Sequence, residues 1–238
     1  MRSVLVNGGS RGIGKEIVTL LSSRGYRVAF TYKNSSECAE ELSAKTGALA
    51  IRADSAVEAD VLRAVETVRE HFGSIDCLVN NAGISSFSLF TDITLDAWNE
   101  MMNVNLTSVF LYSKAVLPDM IKKKWGRIVN ISSMWGLCGA SCEVHYSTAK
   151  AGVIGLTKAL AKEVGPSGIT VNAIAPGLIR TDMNSSLSEE DRASVIEETP
   201  LMREGETSDV ASAVAFLLSD EASFITGDCM NVSGGYVI

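Results

Sequence analysis

The feature that most constrains this chain is an alternation that runs almost from end to end: short apolar runs of strand length, each followed by a longer segment with helical spacing. Parallel strands need long crossovers, so this alternation points to a parallel sheet covered by helices. Strands are predicted over Ser3–Val6, Arg27–Thr31, Ala48–Arg52, Cys77–Val79, Arg127–Ile131, Thr170–Ile174 and Met230–Val232. They are rich in Val, Ile and Leu without strict polar alternation, as strands buried on both faces require. Helices are predicted over Ile13–Arg24, Ser36–Lys45, Glu58–Phe72, Asp96–Lys123, His145–Val164 and Asp209–Ser219. In the first, Ile13, Ile17, Leu20, Leu21 and Arg24 follow the helical step, and Gly25 supplies the stop.

No repeat, low-complexity tract or linker interrupts the 238 residues, so residues 1–238 are expected to form one domain. With 46% hydrophobic residues the chain can bury a large core, which removes any need for disulfides and argues against disorder. No run approaches the length of a membrane span, and Val4-Leu5-Val6 is too short for a secretory signal before Asn7-Gly8-Gly9. A cytoplasmic protein with no membrane partner is expected. The net charge of −7 argues against nucleic acid, which demands clustered cations. Five cysteines without a C-x-x-C pair read as reduced thiols. Cys138, Cys142 and His145 are too few ligands for structural zinc, so no metal is expected.

One segment breaks the rhythm. Thr181–Glu206 is polar and carries Glu189-Glu190-Asp191, and Ser188 with Asp191 marks a helix start inside it. An insertion near the C-terminal ends of parallel strands reads as a substrate lid; a solvated surface helix is the plainer alternative.

The chemistry begins at Gly8-Gly9-Ser10-Arg11-Gly12-Ile13-Gly14, which follows the first strand and opens the first helix. Glycines there permit a tight turn and close approach of a pyrophosphate to the helix N-terminus. The expected fold class is therefore α/β, a single-domain Rossmann-type sheet, doubly wound, of seven parallel strands with helices on both faces. Asn80-Asn81-Ala82-Gly83 closes the fourth strand, and Tyr146-x-x-x-Lys150 opens a helix with Ser133 thirteen residues before the tyrosine. Residues four apart share a helix face, so Lys150 can act beside Tyr146. A phenol titrates near pH ~10, so a nearby cation must lower it for exchange near neutrality. No acid ends the second strand to hold the ribose hydroxyls of NAD; Arg11 and Lys33 instead offer cations to a 2′-phosphate, which favours NADP(H).

These motifs, with Asn105 in Asn103-Val104-Asn105-Leu106 and Pro176-Gly177 followed by Ile179 and Thr181, resemble the short-chain dehydrogenase/reductases over the full length. The resemblance is nearest to the β-ketoacyl-acyl-carrier-protein reductases and their relatives. Asn7 stands where many members carry threonine. The resemblance implies an NADP-dependent oxidoreductase in which Tyr146 donates a proton to a ketone, Ser133 steadies the oxygen, Lys150 holds the nicotinamide ribose and Asn105 positions a water. It further implies cofactor contacts at Gly8, Ser10, Arg11, Gly12, Ile13, Gly14, Lys33, Asp54, Asn80, Ala82, Gly83, Tyr146, Lys150, Pro176, Gly177, Ile179 and Thr181. For Asp54 a loop-capping role is the alternative. A homotetramer is implied as well, built through the helices over Asp96–Lys123 and His145–Val164 and the last strand.

Three functions compete: reduction of a 3-oxoacyl thioester of fatty-acid synthesis, reduction of another small or protein-carried carbonyl, and cofactor sensing or scaffolding without turnover. The intact Asn105, Ser133, Tyr146 and Lys150 oppose the last. Docking of an acidic carrier protein needs a basic patch, for which Lys122-Lys123-Lys124 and Arg127 are candidates, although Ser167 stands where such reductases often carry arginine. The loop from Ser133 to Tyr146 borders the carbonyl, which makes Trp135 and Glu143 candidate substrate contacts. A carboxylate is a poor wall for a fatty chain and suits an amine. The run from Trp135 to Val144 is similar to that of reductases acting on the 5-aminopentanone group of elongation factor P. Glu143 facing solvent or paired with a lysine is the competing reading.

Overall fold

The computed structural model describes residues 1–184 and 187–237. Its elements are β1 (Ser3–Asn7), α1 (Gly12–Ser23), β2 (Arg27–Tyr32), α2 (Ser36–Thr46), β3 (Leu49–Arg52), α3 (Glu58–Phe72) and β4 (Cys77–Asn80). Then follow α4 (Leu95–Met102), α5 (Ser108–Lys123), β5 (Gly126–Ile131), α6 (Trp135–Cys138), α7 (Val144–Val164), β6 (Ile169–Pro176), α8 (Glu189–Glu197), α9 (Thr207–Leu217) and β7 (Cys229–Val232). All six strand pairings are parallel, in the order β3-β2-β1-β4-β5-β6-β7. The order reverses between β1 and β4, where Asn7 lies beside Asn80, and this opens the crevice in which doubly wound sheets take ligands.

Neighbouring strand residues face opposite layers and both are buried, which explains the missing polar alternation. Val4, Val28, Cys77 and Val129 pack with α1 and α9 residues such as Ile17, Leu21 and Val214. Leu5, Ala29, Leu78 and Ile128 pack on the other side with Val65, Tyr112 and Val164. Among the described residues no helix is long and apolar enough to cross a membrane.

Two departures from expectation matter for the site. The single helix expected over Asp96–Lys123 contains a π-helical turn at Asn103–Thr107. The Asn105 side-chain amide donates to Met101 O at 3.1 Å, the carbonyl that its own backbone N–H would claim in an α-helix. Ser133 is followed by the short helix α6, which no periodicity announced. Within Thr181–Glu206, α8 begins where expected, with Ser188 Oγ accepting from Asp191 N at 3.1 Å. Arg180 and Arg192 both bridge to the buried Glu204, which ties this insertion down.

Candidate active site

The turn after β1 is pressed against the loop after β4. Gly8 has a φ of +68°, and a Cβ there would stand 2.8 Å from Ala82 Cα; one on Gly14 would stand 2.1 Å from Gly8 O. Only glycine tolerates both contacts. Ser10 is buried, Arg11 is the exposed N-cap of α1, and no side chain caps that helix start, so its first amides face an incoming anion. The half-buried Ile13 packs against the core beneath. A Cβ on Gly12 would lie 3.5 Å from Thr181 Cγ2, which brings the insertion to the turn. Such a cradle fits the pyrophosphate of a dinucleotide.

Asn7 holds the crevice open. Its Oδ1 accepts from the N–H groups of Asn81 and Ala82, both at 2.6 Å, and its Nδ2 donates to Asn80 Oδ1 at 3.1 Å. Asn80 in turn donates to Asn130 Oδ1 at 2.8 Å, so its side chain lies inside the sheet and leaves Ala82 and Gly83 to offer backbone to a ligand. A Cβ on Gly83 would stand 2.7 Å from Asn105 Oδ1 and 3.4 Å from Lys150 Nζ. Loop, π turn and α7 therefore converge on one point.

At that point the structure gathers the four expected catalytic residues. Tyr146, one turn before Lys150 on α7, lies beside the Ser133 hydroxyl just beyond β5. Lys150 Nζ donates to Ile131 O at 3.0 Å and lies 5.6 Å from the centre of the Tyr146 ring. Asn105 clamps the loop after β4, with Nδ2 donating to Ile84 O at 3.0 Å and Oδ1 accepting from Ile84 N at 3.3 Å. All four are buried. Burial lowers Lys150 to about 8. Burial, with the nearby Glu143 carboxylate, pushes Tyr146 up to about 12 against the opposing influence of the Ser133 hydroxyl. The lowering expected from Lys150 does not act on the phenol within the chain, and the phenol keeps its proton across the neutral range.

The remaining cofactor candidates form the far wall. Pro176 ends β6 and accepts from Met134 N at 2.8 Å, Gly177 N donates to Val232 O at 3.0 Å, and the buried Ile179 accepts from Asn184 Nδ2 at 2.7 Å.

At the other end of the crevice Lys33 and Asp54 do meet, but with each other: Nζ and Oδ2 are 2.7 Å apart. Lys33 is therefore not the free cation expected. Asp54 also accepts from Ala56 N at 3.0 Å, which caps its own loop. A groove of about 410 Å³ here is lined by Lys33, Asn34, Arg52, Asp54, Asp60 and Arg63. Arg52 and Arg63 escaped the sequence reading because each follows the pattern of an ordinary strand end or solvated helix face.

On the substrate side, Trp135 N donates to Ser133 Oγ at 3.2 Å. Glu143 is only 4% exposed; its carboxylate accepts no hydrogen bond and meets no lysine or arginine among the described residues, and burial raises it to about 7. Neither the solvent-facing nor the lysine-paired alternative holds. The expected basic patch also shrinks. Lys123 is bound to Asp76 and Ser74, while Arg127 is the second residue of an interior strand, 4% exposed and stacked 4.5 Å from the Trp125 ring.

Comparison with known proteins agrees with this geometry. The family described as "Enoyl-(Acyl carrier protein) reductase" matches residues 8–237. The chain is 45% identical over 233 residues to the 3-oxoacyl-[acyl-carrier-protein] reductase of Salmonella typhimurium, covering 97% of this chain and 95% of that protein. The namesake of Escherichia coli K12 is 43% identical over 233 residues, with the same coverage. A solved double mutant of a Serratia marcescens short-chain dehydrogenase/reductase superposes with a TM-score of 0.93 at 36% identity, over 99% of this chain and 97% of that one. The chain belongs to the short-chain dehydrogenase/reductase family and is an oxidoreductase of the ketone and alcohol class. Membership implies a nicotinamide cofactor, which the glycine cradle fits.

Proposed function

We propose that the protein is an NADPH-dependent reductase of 3-oxoacyl chains carried as thioesters on an acyl carrier protein. The observation that carries this reading is the joint burial of Ser133, Tyr146 and Lys150, with the Lys150 ammonium 5.6 Å from the centre of the Tyr146 ring; the names of the relatives supply the substrate class. When bound, the cofactor supplies the hydride that adds to the carbonyl carbon. Ser133 donates a hydrogen bond to the carbonyl oxygen, and Tyr146 gives that oxygen its phenolic proton, so that the ketone becomes an alcohol. The Lys150 ammonium stabilises the phenolate left behind, and Asn105 holds the water that begins its reprotonation. Thr181–Glu206 serves as the lid. Assembly is a homotetramer, favoured by Phe110 and Ile121, both exposed on α5; light scattering that finds a stable monomer at micromolar concentration refutes it.

A second reading rests on Glu143. Its unpaired carboxylate beside Tyr146 suits a ketone that ends in an ammonium, such as an aminopentanone group on elongation factor P. A panel separates the two: loss of NADPH absorbance with acetoacetyl thioester, free and carrier-bound, against amino-ketones. Turnover of the thioester alone supports the first reading and turnover of the amino-ketone alone the second. NADPH binding without turnover of any ketone supports the sensor role and overturns both.

A further inference from the structure

His145 stands one residue before Tyr146, in the first turn of α7, and is only 1% exposed. Its Nε2 lies 2.9 Å from the hydroxyl of Ser86, in the loop after β4, while its Nδ1 is buried with no partner among the described residues. A second tie runs alongside, from Ser88 N to Cys142 O at 2.8 Å. Cys142 presents that carbonyl with a φ of +61°, a left-handed conformation that residues other than glycine adopt uncommonly. The loop after β4 is thus anchored along its length: Asn105 clamps Ile84, His145 meets Ser86 and Cys142 meets Ser88.

The orphan Nδ1 decides which way the His145 bond runs. Burial lowers the imidazole below its ordinary value, so at neutral pH the ring carries a single proton. On Nδ1 that proton would make a buried donor without an acceptor. On Nε2 it donates to Ser86 Oγ and leaves only a lone pair unmet. Ser86 is exposed, and its hydroxyl makes no other hydrogen bond among the described residues, so the hydroxyl proton stays uncommitted.

We propose that His145 is a positioning residue: in its Nε2–H form it pins Ser86, joins the loop after β4 to the start of α7 beside Tyr146, and leaves the Ser86 hydroxyl to donate to a carbonyl oxygen of the incoming substrate. The substrate half of this inference rests on the ketone-reductase reading above; the tautomer of His145 does not.

The test combines nitrogen-15 NMR of the imidazoles with steady-state kinetics. The chain has two histidines, His71 and His145, so His145→Gln assigns the signals. In the full-length protein with NADPH bound at neutral pH, the His145 proton is expected on Nε2. Ser86→Ala is expected to raise KM for an acetoacetyl thioester about three- to tenfold, as loss of one hydrogen bond does, with kcat within about twofold. His145→Gln, whose amide N–H reaches the same oxygen, should stay within about twofold of the wild type in both constants. His145→Phe should raise KM as Ser86→Ala does, and combining the two should raise it no further. Because Ser86 is exposed, Ser86→Ala keeps the fold and carries the test even where His145→Phe does not fold. A proton on Nδ1, an unchanged KM in Ser86→Ala, or losses that multiply in the double variant overturns the proposal. If Nε2 carries the proton while the wild-type protein reduces no ketone, the pinning of Ser86 stands and the ketone-reductase reading fails.

Discussion

At the Tyr146 end of the crevice the polar side chains of Ser133, Tyr146, Lys150 and Asn105 are buried and bonded within the chain, whereas at the Lys33 end the charges stand half in water and pair with each other. The difference decides how each end responds to change. A buried polar group has no solvent to replace a lost partner, so its removal costs orders of magnitude. An exposed pair such as Lys33–Asp54, with 58% and 24% of the side chains accessible, is screened by salt and its loss is graded. On the proposed reading the chemistry is thereby fixed at one end, and cofactor preference is tunable at the other.

The largest expected effect is at the buried end. Tyr146→Phe keeps the packed ring and removes only the proton donor, so kcat falls by about 10²–10⁴ while the NADPH dissociation constant stays within a few-fold. Steady-state kinetics that leave more than about a tenth of the wild-type rate would show that the acid lies elsewhere.

Glu143→Gln probes the same buried end from the substrate side. Efficiency toward amino-ketones is expected to drop one to two decades, about 1.5–3 kcal/mol for a charge-assisted bond, with little change on acetoacetyl thioesters. Equal losses on both, or none, would remove Glu143 from recognition.

A smaller effect is expected at the exposed end. NADPH should be preferred over NADH about tenfold, and Lys33→Ala should narrow that ratio several-fold, because Lys33 must exchange Asp54 for the 2′-phosphate. The narrowing should fade with added salt. A preference that neither the substitution nor salt moves would shift recognition to Arg11, Arg52 or Arg63.

The mildest expectation concerns stability. Burial raises Glu143 to about 7 from an ordinary 4.5, so the folded protein binds this proton more tightly than the unfolded chain. The contribution is present below about pH 4.5 and lost as pH rises through about 7. Glu143→Gln, which cannot ionise, should therefore melt above the wild type at pH 8, by a margin that closes toward pH 5. A constant margin in a thermal melt would place the carboxylate in water.

What could be read in advance follows the same division. The i, i+4 spacing of Tyr146 and Lys150 and the placement of Ser133 beyond an apolar strand are local patterns, and local geometry carries them into the fold intact. The π turn at Asn105 arises because a side chain competes with its own backbone for Met101 O, which no periodicity reveals. Asn7 looked like a neutral variant because its two backbone partners come from the loop after β4, distant in sequence. Lys33 read as a free cation because the approach of Asp54 depends on how β2 and β3 pair. Arg127 sat beside a lysine run, yet the strand it belongs to is interior. Tyr236, whose ring meets that of Trp135 edge to face with centroids 5.4 Å apart, follows the last strand, where no repeating pattern marks a contact.

The most direct test of the central claim follows the hydride itself. NADPH deuterated at the transferring position, mixed with the protein and an acetoacetyl thioester, should place one deuterium on the carbon bearing the new hydroxyl, as read by mass spectrometry, and Tyr146→Phe should form almost none of that product. An unlabelled alcohol, or labelled alcohol formed equally fast by Tyr146→Phe, would contradict a ketone-reducing centre with Tyr146 as its proton donor.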